Sequence, residues 1–470
     1  MVTLTGGVFL VAFALKLGAS NLMIGLLAAI PPLAQLIQIP SIYLVEKYRI
    51  RRAITVYATA SSRIFWLVIA LIPFLFSIEA GLTFLMVALL LYAAFGAIGS
   101  SSWNPWMRDL VPQDRLGAFF SKRMSLAARL GIPLSLAAGF YIDYWKKLFP
   151  AYELYGYSIL FFLGFLAGML GVYFISTIPE PRMAPLVGKL GFLKLLSQPF
   201  KDANFKNLLM FLGSWNFAVN LAAPFFTVYM LTLLQLDMSF IIALLVLSQL
   251  TSIAFLRIWG RFSDRFSNKS VLGVSGPLFM LCILAWTFTT LPEKYVLTIP
   301  LLIAIHIFMG ISTAGVTLAS GNIGLKLAPK GQATPYLAAN SLVNSVMAGI
   351  APILGGMFAD FFAQRELAWV LTYTSPGGKL VIPTLNFQQW DFFFFLAFLI
   401  GLYSIHRLAM VKELGEVEEK IVIHELISAV KRPLTNFSTA GGLQELVQFP
   451  FSIIKQIFEK NGAEKRDKYE

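Results

Sequence analysis

Leu110-Val111-Pro112, followed by Gly139-Phe140-Tyr141-Ile142-Asp143, returns later in the chain as Leu327-Ala328-Pro329, followed by Gly356-Met357-Phe358-Ala359-Asp360. The proline-to-aspartate spacing is the same in both copies, and each copy lies among long apolar runs. A parallel duplication inside a chain that crosses a bilayer many times builds two similar halves, and a solute site forms where they meet near the midplane. The repeat therefore points to movement of something across a membrane.

Hydrophobic residues make up 57% of the 470 positions and charged residues 13%, with a mean hydropathy of +0.73. Such a chain cannot hide its apolar surface inside a water-soluble globule. A span takes roughly 20 apolar residues to cross about 30 Å of hydrocarbon. The runs between charged clusters give twelve candidates, near 2 to 16, 21 to 45, 53 to 77, 82 to 106, 124 to 143, 155 to 178, 207 to 233, 238 to 257, 270 to 291, 296 to 322, 337 to 362 and 390 to 409. All are expected to be helices, because backbone groups in lipid must be satisfied within their own segment. The fold class is thus an all-α polytopic membrane protein. The first candidate is defective: Val2 to Leu15 covers only about 21 Å before Lys16. Either the first helix has lost its upstream half, the reading preferred here, or it tucks in as a partial span. A cleaved signal peptide fits less well, because no basic leader or small-residue cleavage site precedes an exported domain.

The net charge of +13 would suit nucleic acid, but the placement of the charges argues otherwise. Loops after even-numbered spans, together with the tail, carry 29 of the 37 Lys and Arg residues. The positive-inside rule places those loops and the tail in the cytoplasm, and a multi-pass protein of the cell membrane is expected. The lone cysteine, Cys282, excludes a disulfide framework.

Domain organisation follows as an N-terminal six-helix bundle over 1–178, a cytoplasmic central loop over 179–206, a second bundle over 207–410 and a cytoplasmic tail over 411–470. Leu190, Phe192, Leu193, Leu195 and Leu196 beside Lys189 and Lys194 suit a helix lying on the membrane surface. Tail segments 415–430 and 442–460 read the same way, interfacial or loosely ordered. The connection 363–389, with Pro376-Gly377-Gly378, is long for an outer loop and is expected to cover part of the outer mouth.

Gly260-Arg261-Phe262-Ser263-Asp264-Arg265-Phe266-Ser267-Asn268-Lys269, after the eighth span, resembles the G-x-x-x-D-R-x-G-R-R/K loop signature of the major facilitator superfamily. It matches at Gly260, Asp264, Arg265 and Lys269 and departs at Ser267 and Asn268. The loop after the second span repeats it weakly as Glu46-Lys47-Tyr48 with Arg49, Arg51 and Arg52, Ile42 standing where the glycine would be. Twelve spans, a six-plus-six duplication and two such loops extend the resemblance over residues 1 to 410. It implies two pseudo-symmetric bundles rocking about a central site. It also implies that Asp264, Arg265 and Lys269, with Glu46, Lys47, Arg51 and Arg52, form contacts that close the cytoplasmic side. The competing reading is plain positive-inside anchoring. Trp106 to Arg115, with Arg108, Asp109 and Asp114, is read as a further gate or brace in a loop after the fourth span.

Ionisable and polar groups within spans are site candidates because hydrocarbon makes them costly. Arg63 lies about 16 Å beyond Arg52 along a helix, near the midplane. It is taken as a brace first and an anion contact second. The resemblance makes the first, fourth, seventh and tenth helices cavity walls, so His306 in the tenth is the leading candidate for ligand contact. Asn216 and Asn220 share one face of the seventh helix, Asn340 and Asn344 repeat that spacing in the eleventh, and Gln249 lies mid-span in the eighth. Amides supply donors and acceptors without charge, which suits hydroxylated or zwitterionic solutes. Interhelical hydrogen bonding is the competing role for all of them.

The expected function is secondary active transport of a small organic solute by alternating access. No phosphate-cradling G-x-x-x-x-G-K-[ST] loop is present, and neither cofactor nor metal nor nucleic acid is called for. A monomer in the bilayer is expected, and the coupling ion, proton or sodium, stays open. A sensor or scaffold on the same fold is the alternative. A multi-span enzyme is less favoured, since His306, His406 and His424 are scattered.

Overall fold

The computed structural model describes residues 1–112, 115–181, 197–290, 294–329 and 333–437. Within them, eleven helices are long and apolar enough to cross a membrane, and Val2–Lys16 is a shorter apolar segment. That segment is broken into α1 (Val2–Thr5) and α2 (Val8–Lys16), with Gly7 between them at φ +58°, a region glycine enters freely. A continuous rod follows as α3 (Asn21–Ala34) and α4 (Gln38–Tyr48), joined by a 3₁₀ turn just after Pro31 and Pro32. The first half continues with α5 (Arg51–Leu75), α6 (Ile78–Leu110), α7 (Leu116–Leu148) and α8 (Glu153–Ser176). The second comprises α9 (Ala203–Thr232), α10 (Met238–Arg265), α11 (Asn268–Ala285), α12 (Thr298–Leu327), α13 (Ala333–Phe362) and α14 (Trp390–Ala409).

Several helices overrun the expected spans. Arg108 and Asp109, expected in a loop, lie in the last turn of α6, and Gly260 to Arg265 belong to α10, so only Phe266 and Ser267 separate it from α11. The seventh span begins at Ala203, where Asp202 accepts the amides of Asn204 and Phe205 at 3.0 Å. Charged residues continue a helix readily once past the hydrocarbon, so hydropathy marks the lipid boundary and not the helix end.

Residues 363–389 depart from the all-helical expectation. They form an antiparallel hairpin, β1 (Glu366–Ser375) and β2 (Gly378–Gln388), pairing Ser375 with Gly378 and Glu366 with Gln388. The physical signal was present: β-branched and aromatic runs flank Pro376-Gly377-Gly378. Phe387 ties the hairpin to α14 through ring contacts with Phe392 and Phe395.

The halves meet along α3 with α13 and α7 with α10. Glycines set the separation. A Cβ on Gly25 would lie 2.1 Å from the Pro352 carbonyl oxygen, and one on Gly356 would lie 2.4 Å from that of Asn21. These contacts fall at the end opposite the tail, called the far end below. The other end, from which the tail leaves, is the tail end.

The tail is docked rather than loose over its first stretch. Glu413, nearly fully buried, accepts from Asn268 Nδ2 at 2.9 Å and the Lys269 amide at 2.7 Å, and pairs with Lys326 at 3.1 Å. Lys269 Nζ meets Glu416 at 2.7 Å, and Arg265 meets Glu425, on α15 (Glu419–Phe437), at 3.4 Å. The expected surface segment in 182–196 and the tail segment 442–460 lie outside the described residues.

Two outcomes follow. Glu413→Ala leaves two donors and a cation without their acceptor and should destabilise the protein by roughly 3 kcal/mol, whereas Lys326→Ala, half-exposed, should cost under about 1 kcal/mol. Denaturation of both variants in detergent checks the ranking. Gly25→Ala should lower the thermal midpoint, because the carbonyl it would strike is backbone and cannot swing aside. An unchanged midpoint would contradict the tight helix contact.

Candidate functional site

Asn216 and Asn220 stand one turn apart on α9, and Asn340 and Asn344 one turn apart on α13. The two helices pack side by side, and the two pairs join. Asn216 Nδ2 donates to Asn344 Oδ1 at 3.0 Å, and Asn344 Nδ2 donates to Asn340 Oδ1 at 3.0 Å. Asn216 also donates to the Leu212 carbonyl and Asn220 to the Asn216 carbonyl, each at 2.8 Å. The side-chain carbonyls of Asn216 and Asn220 and the amino group of Asn340 keep no partner among the described residues. All four residues are partly exposed, so this amide ladder presents free donors and acceptors without a charge.

The other site candidates lie elsewhere. His306 is 2% exposed, with Nδ1 2.8 Å from the Leu302 carbonyl and its ring edge-on to Trp286 at 5.6 Å. It is packed inside the second half, where it braces α12 against the turn after α11. Gln249 is exposed on α10 on the same face as exposed Leu245, Ile253 and Leu256, and no hydrogen bond links it to the asparagines among the described residues.

Arg63 opens onto a cavity of about 370 Å³ in the first half, lined also by Gln35, Thr55, Thr59, Ser100 and Arg123. Its guanidinium stands 5.9 Å from the Tyr92 ring centre, and that of Arg123 stands 4.5 Å from Trp103. No carboxylate pairs with either arginine among the described residues. Thr55 Oγ1 is buried without a hydrogen-bond partner. Arg123, Thr55 and Trp103 were not singled out as ligands from the sequence, since an arginine near a helix end and a tryptophan at an interface read as anchors.

The expected gating residues form knots within each half. Arg51, 1% exposed, donates to Asp109 Oδ2 at 2.6 Å and to the Pro181 carbonyl at 3.0 Å, and its own amide donates to Glu180 at 2.6 Å. Arg52 reaches the Ser176 carbonyl. In the second half Lys269 and Arg265 engage the tail, as described. Asp264 is exposed and makes no ion pair among the described residues, and Glu46 Oε2 is buried without a hydrogen-bond partner. Lys47 lies against Tyr48, 5.5 Å from the ring centre. Gly260 meets only Leu318 at ordinary contact distance, so no close packing demands glycine there. Arg108 and Arg115 are exposed, and Asp114 lies outside the described residues.

Glu180 and Glu413 were not anticipated. Each lies four residues past the last helix of its half and accepts the amide of the residue opening that half's third helix or next to it, Arg51 or Lys269. Asp109 and Lys326 occupy corresponding places in the two copies and complete the knots with opposite signs: Asp109 binds the cation Arg51, and Lys326 binds the anion Glu413. Among the described residues no group of three or more His, Cys, Asp and Glu side chains gathers to hold a metal ion.

Among solved structures, the chain is similar to the nucleoside transporter NupG in a mutant form, at 15% identity with a TM-score of 0.61, covering 86% of this chain and 95% of that one. It is similar to a bacterial homologue of the human lysosomal transporter Spinster, inward-facing and unoccupied, at 13% identity and TM-score 0.54, covering 87% and 92%. A bacterial homologue of the iron transporter ferroportin, inward-facing, matches at 12% identity and TM-score 0.55, covering 88% and 97%. No curated protein matches. The family model of the Major Facilitator Superfamily matches residues 1–352 and again 208–410. With the duplicated halves and their shared interface, that match makes the chain a member of the Major Facilitator Superfamily and a secondary transporter.

Proposed function

We propose that the transported solute is a small, uncharged or zwitterionic polar organic molecule, recognised by the amide ladder of Asn216, Asn220, Asn340 and Asn344. The observation that carries this reading is the set of unmatched carbonyl and amino groups on two adjoining helices. A hydroxylated or amide-bearing solute satisfies both kinds of group at once, and in a low-dielectric vestibule an unmade hydrogen bond costs about 1–3 kcal/mol. The positive charge at the tail end supports placing that end in the cytoplasm of a cell membrane. The far-end contacts then close the outside, so the protein faces inward. Transport proceeds by exchange between this arrangement and one open at the far end.

A second reading rests on Arg63 and Arg123. Two guanidiniums facing one cavity, with no acid among the described residues to neutralise them, favour an anionic group. Under this reading Arg63 binds the solute and the asparagines hold the helices together.

Uptake by proteoliposomes, screened with pools of sugars, nucleosides, amino acids and organic acids under imposed proton or sodium gradients, tests both. If the ladder is the site, Asn220→Ala, which removes an unmatched carbonyl, should raise the half-saturating concentration roughly tenfold, one lost hydrogen bond to the solute, with Arg63→Ala changing it less. The reverse ranking, together with preference for an organic acid, would transfer the site to the arginine cavity. His306→Ala should leave apparent affinity unchanged while lowering thermal stability.

A further inference from the structure

The two aspartates of the duplicated motif reach across from one half to the other. Asp360, near the end of α13, accepts the Leu22 amide at 3.0 Å on Oδ2, and on Oδ1 the Asn21 amide at 3.3 Å and side-chain Nδ2 at 2.8 Å. Asp143, near the end of α7, accepts the Met238 amide at 2.9 Å and the Ser239 amide at 2.8 Å. Each carboxylate thus sits on the first turn of a helix in the opposite half, where amides lack intrahelical partners and the helix dipole is positive. The α10 N-terminus depends on this: its own N-cap residue, Asp237, makes no side-chain capping bond.

The glycine of each motif copy explains how the reach is short enough. Gly139 and Gly356 precede their aspartates by one turn and face the same helix start. A Cβ on Gly139 would lie 3.1 Å from Ser239 Cα, and one on Gly356 would lie 2.6 Å from Leu22 Cα. Glycine admits the opposite backbone, and the aspartate one turn on binds its amides. The glycine and aspartate of the repeated motif together are therefore a device for holding one helix end of the other half.

We propose that Asp143 and Asp360 are paired positioning residues of the transport cycle: latches made only while the far end is closed, whose parting opens that end. The proposal rests on the alternating-access reading. Rocking of two rigid halves about their centre leaves bonds within a half untouched and breaks bonds across the far end. Glu180 and Glu413 use the same carboxylate-to-amide contact inside their own halves and are kept in both states. Asp143 and Asp360 join α7 to α10 and α13 to α3 and cannot be. Once parted, carboxylate and amides are solvated, so each latch biases the equilibrium without locking it.

Pulsed electron spin resonance on the full chain in liposomes tests this. With buried Cys282→Ser as background, spin labels go on exposed Phe149 and Val296, one in each half at the far end. A control pair, Phe74 and Phe149, lies within the first half. Asp143→Asn and Asp360→Asn should each raise the ratio of long to short cross-half distances roughly tenfold, the worth of charge-assisted hydrogen bonds, and the double variant by more. The control distance should stay fixed. An unchanged cross-half distribution in the double variant overturns the proposal, and so does spreading of the control pair, which would make the aspartates supports of the half itself. Flux of the wild-type protein is measured separately. Opening of the far end without any flux would count against transport while leaving the latches standing.

Discussion

Close backbone approach between the halves is the constraint on which the remaining structure depends. In lipid there is little hydrophobic force drawing one helix to another, so helices adhere through packing and through hydrogen bonds that proximity allows. At Gly25, Gly139, Gly349 and Gly356 even a methyl group would collide with the opposite half, in most cases with its backbone. Only at that separation do the carboxylates of Asp143 and Asp360 reach amides across the seam. A seam held this way is close-packed at its glycines while its polar contacts stay within reach of solvent, which suits an interface that must exist in two states.

Carboxylate-to-helix-start contacts occur at both ends of the molecule with different consequences. At the tail end Glu180 and Glu413 tie the last helix of each half to its third helix, and Asp109 or Lys326 adds a charge from the fourth. Those knots make each half a unit. At the far end the equivalent contacts cross between units. A two-state machine needs rigid parts and a breakable joint, and here one chemical contact serves for both, sorted by which helices it connects. The inversion of sign between Asp109 and Lys326 shows what the duplication preserved: the place of a charge facing its partner, with the sign free to exchange.

Much of this architecture was legible in the sequence because the bilayer reduces the choices. Apolar run length gave the spans, lysine and arginine placement gave the alternation of loops, and the repeat gave the two halves. The hairpin at 366–388 was missed because a long connection between spans was read for hydropathy alone, without its β-branched runs and Pro-Gly-Gly turn. Site residues were harder. Fourfold spacing correctly put each asparagine pair on one face, but which helix faces which is a tertiary fact, so the joining of Asn216 to Asn344 was not readable. The orientation of His306 was unreadable for the same reason. Its helix can line the cavity while this side chain turns toward Trp286, and rotation about a helix axis is weakly encoded where α12 is apolar all round. Asp264, Arg265 and Lys269, with Glu46, Lys47, Arg51 and Arg52, were expected to make contacts that close the tail end, whereas Arg51, Arg265 and Lys269 make theirs within their own half and its tail.

The two halves, alike in helix plan, differ in the polar groups they carry within and near their spans. The first half holds Arg63 and Arg123 against aromatic rings, and the second holds four amides that bond to one another. Charge at depth is costly unless stabilised by neighbours, and a ring face offers an arginine attraction without neutralising it. Amides lower their own cost by mutual hydrogen bonding yet keep a free face. Each half thus keeps its polar groups tolerable in the absence of solute while leaving capacity unused, positive on one side and neutral on the other. A solute that contacts either set more closely in one arrangement of the halves than in the other favours that arrangement. Differential contact of that kind is what allows binding on one side of a membrane to favour opening on the other.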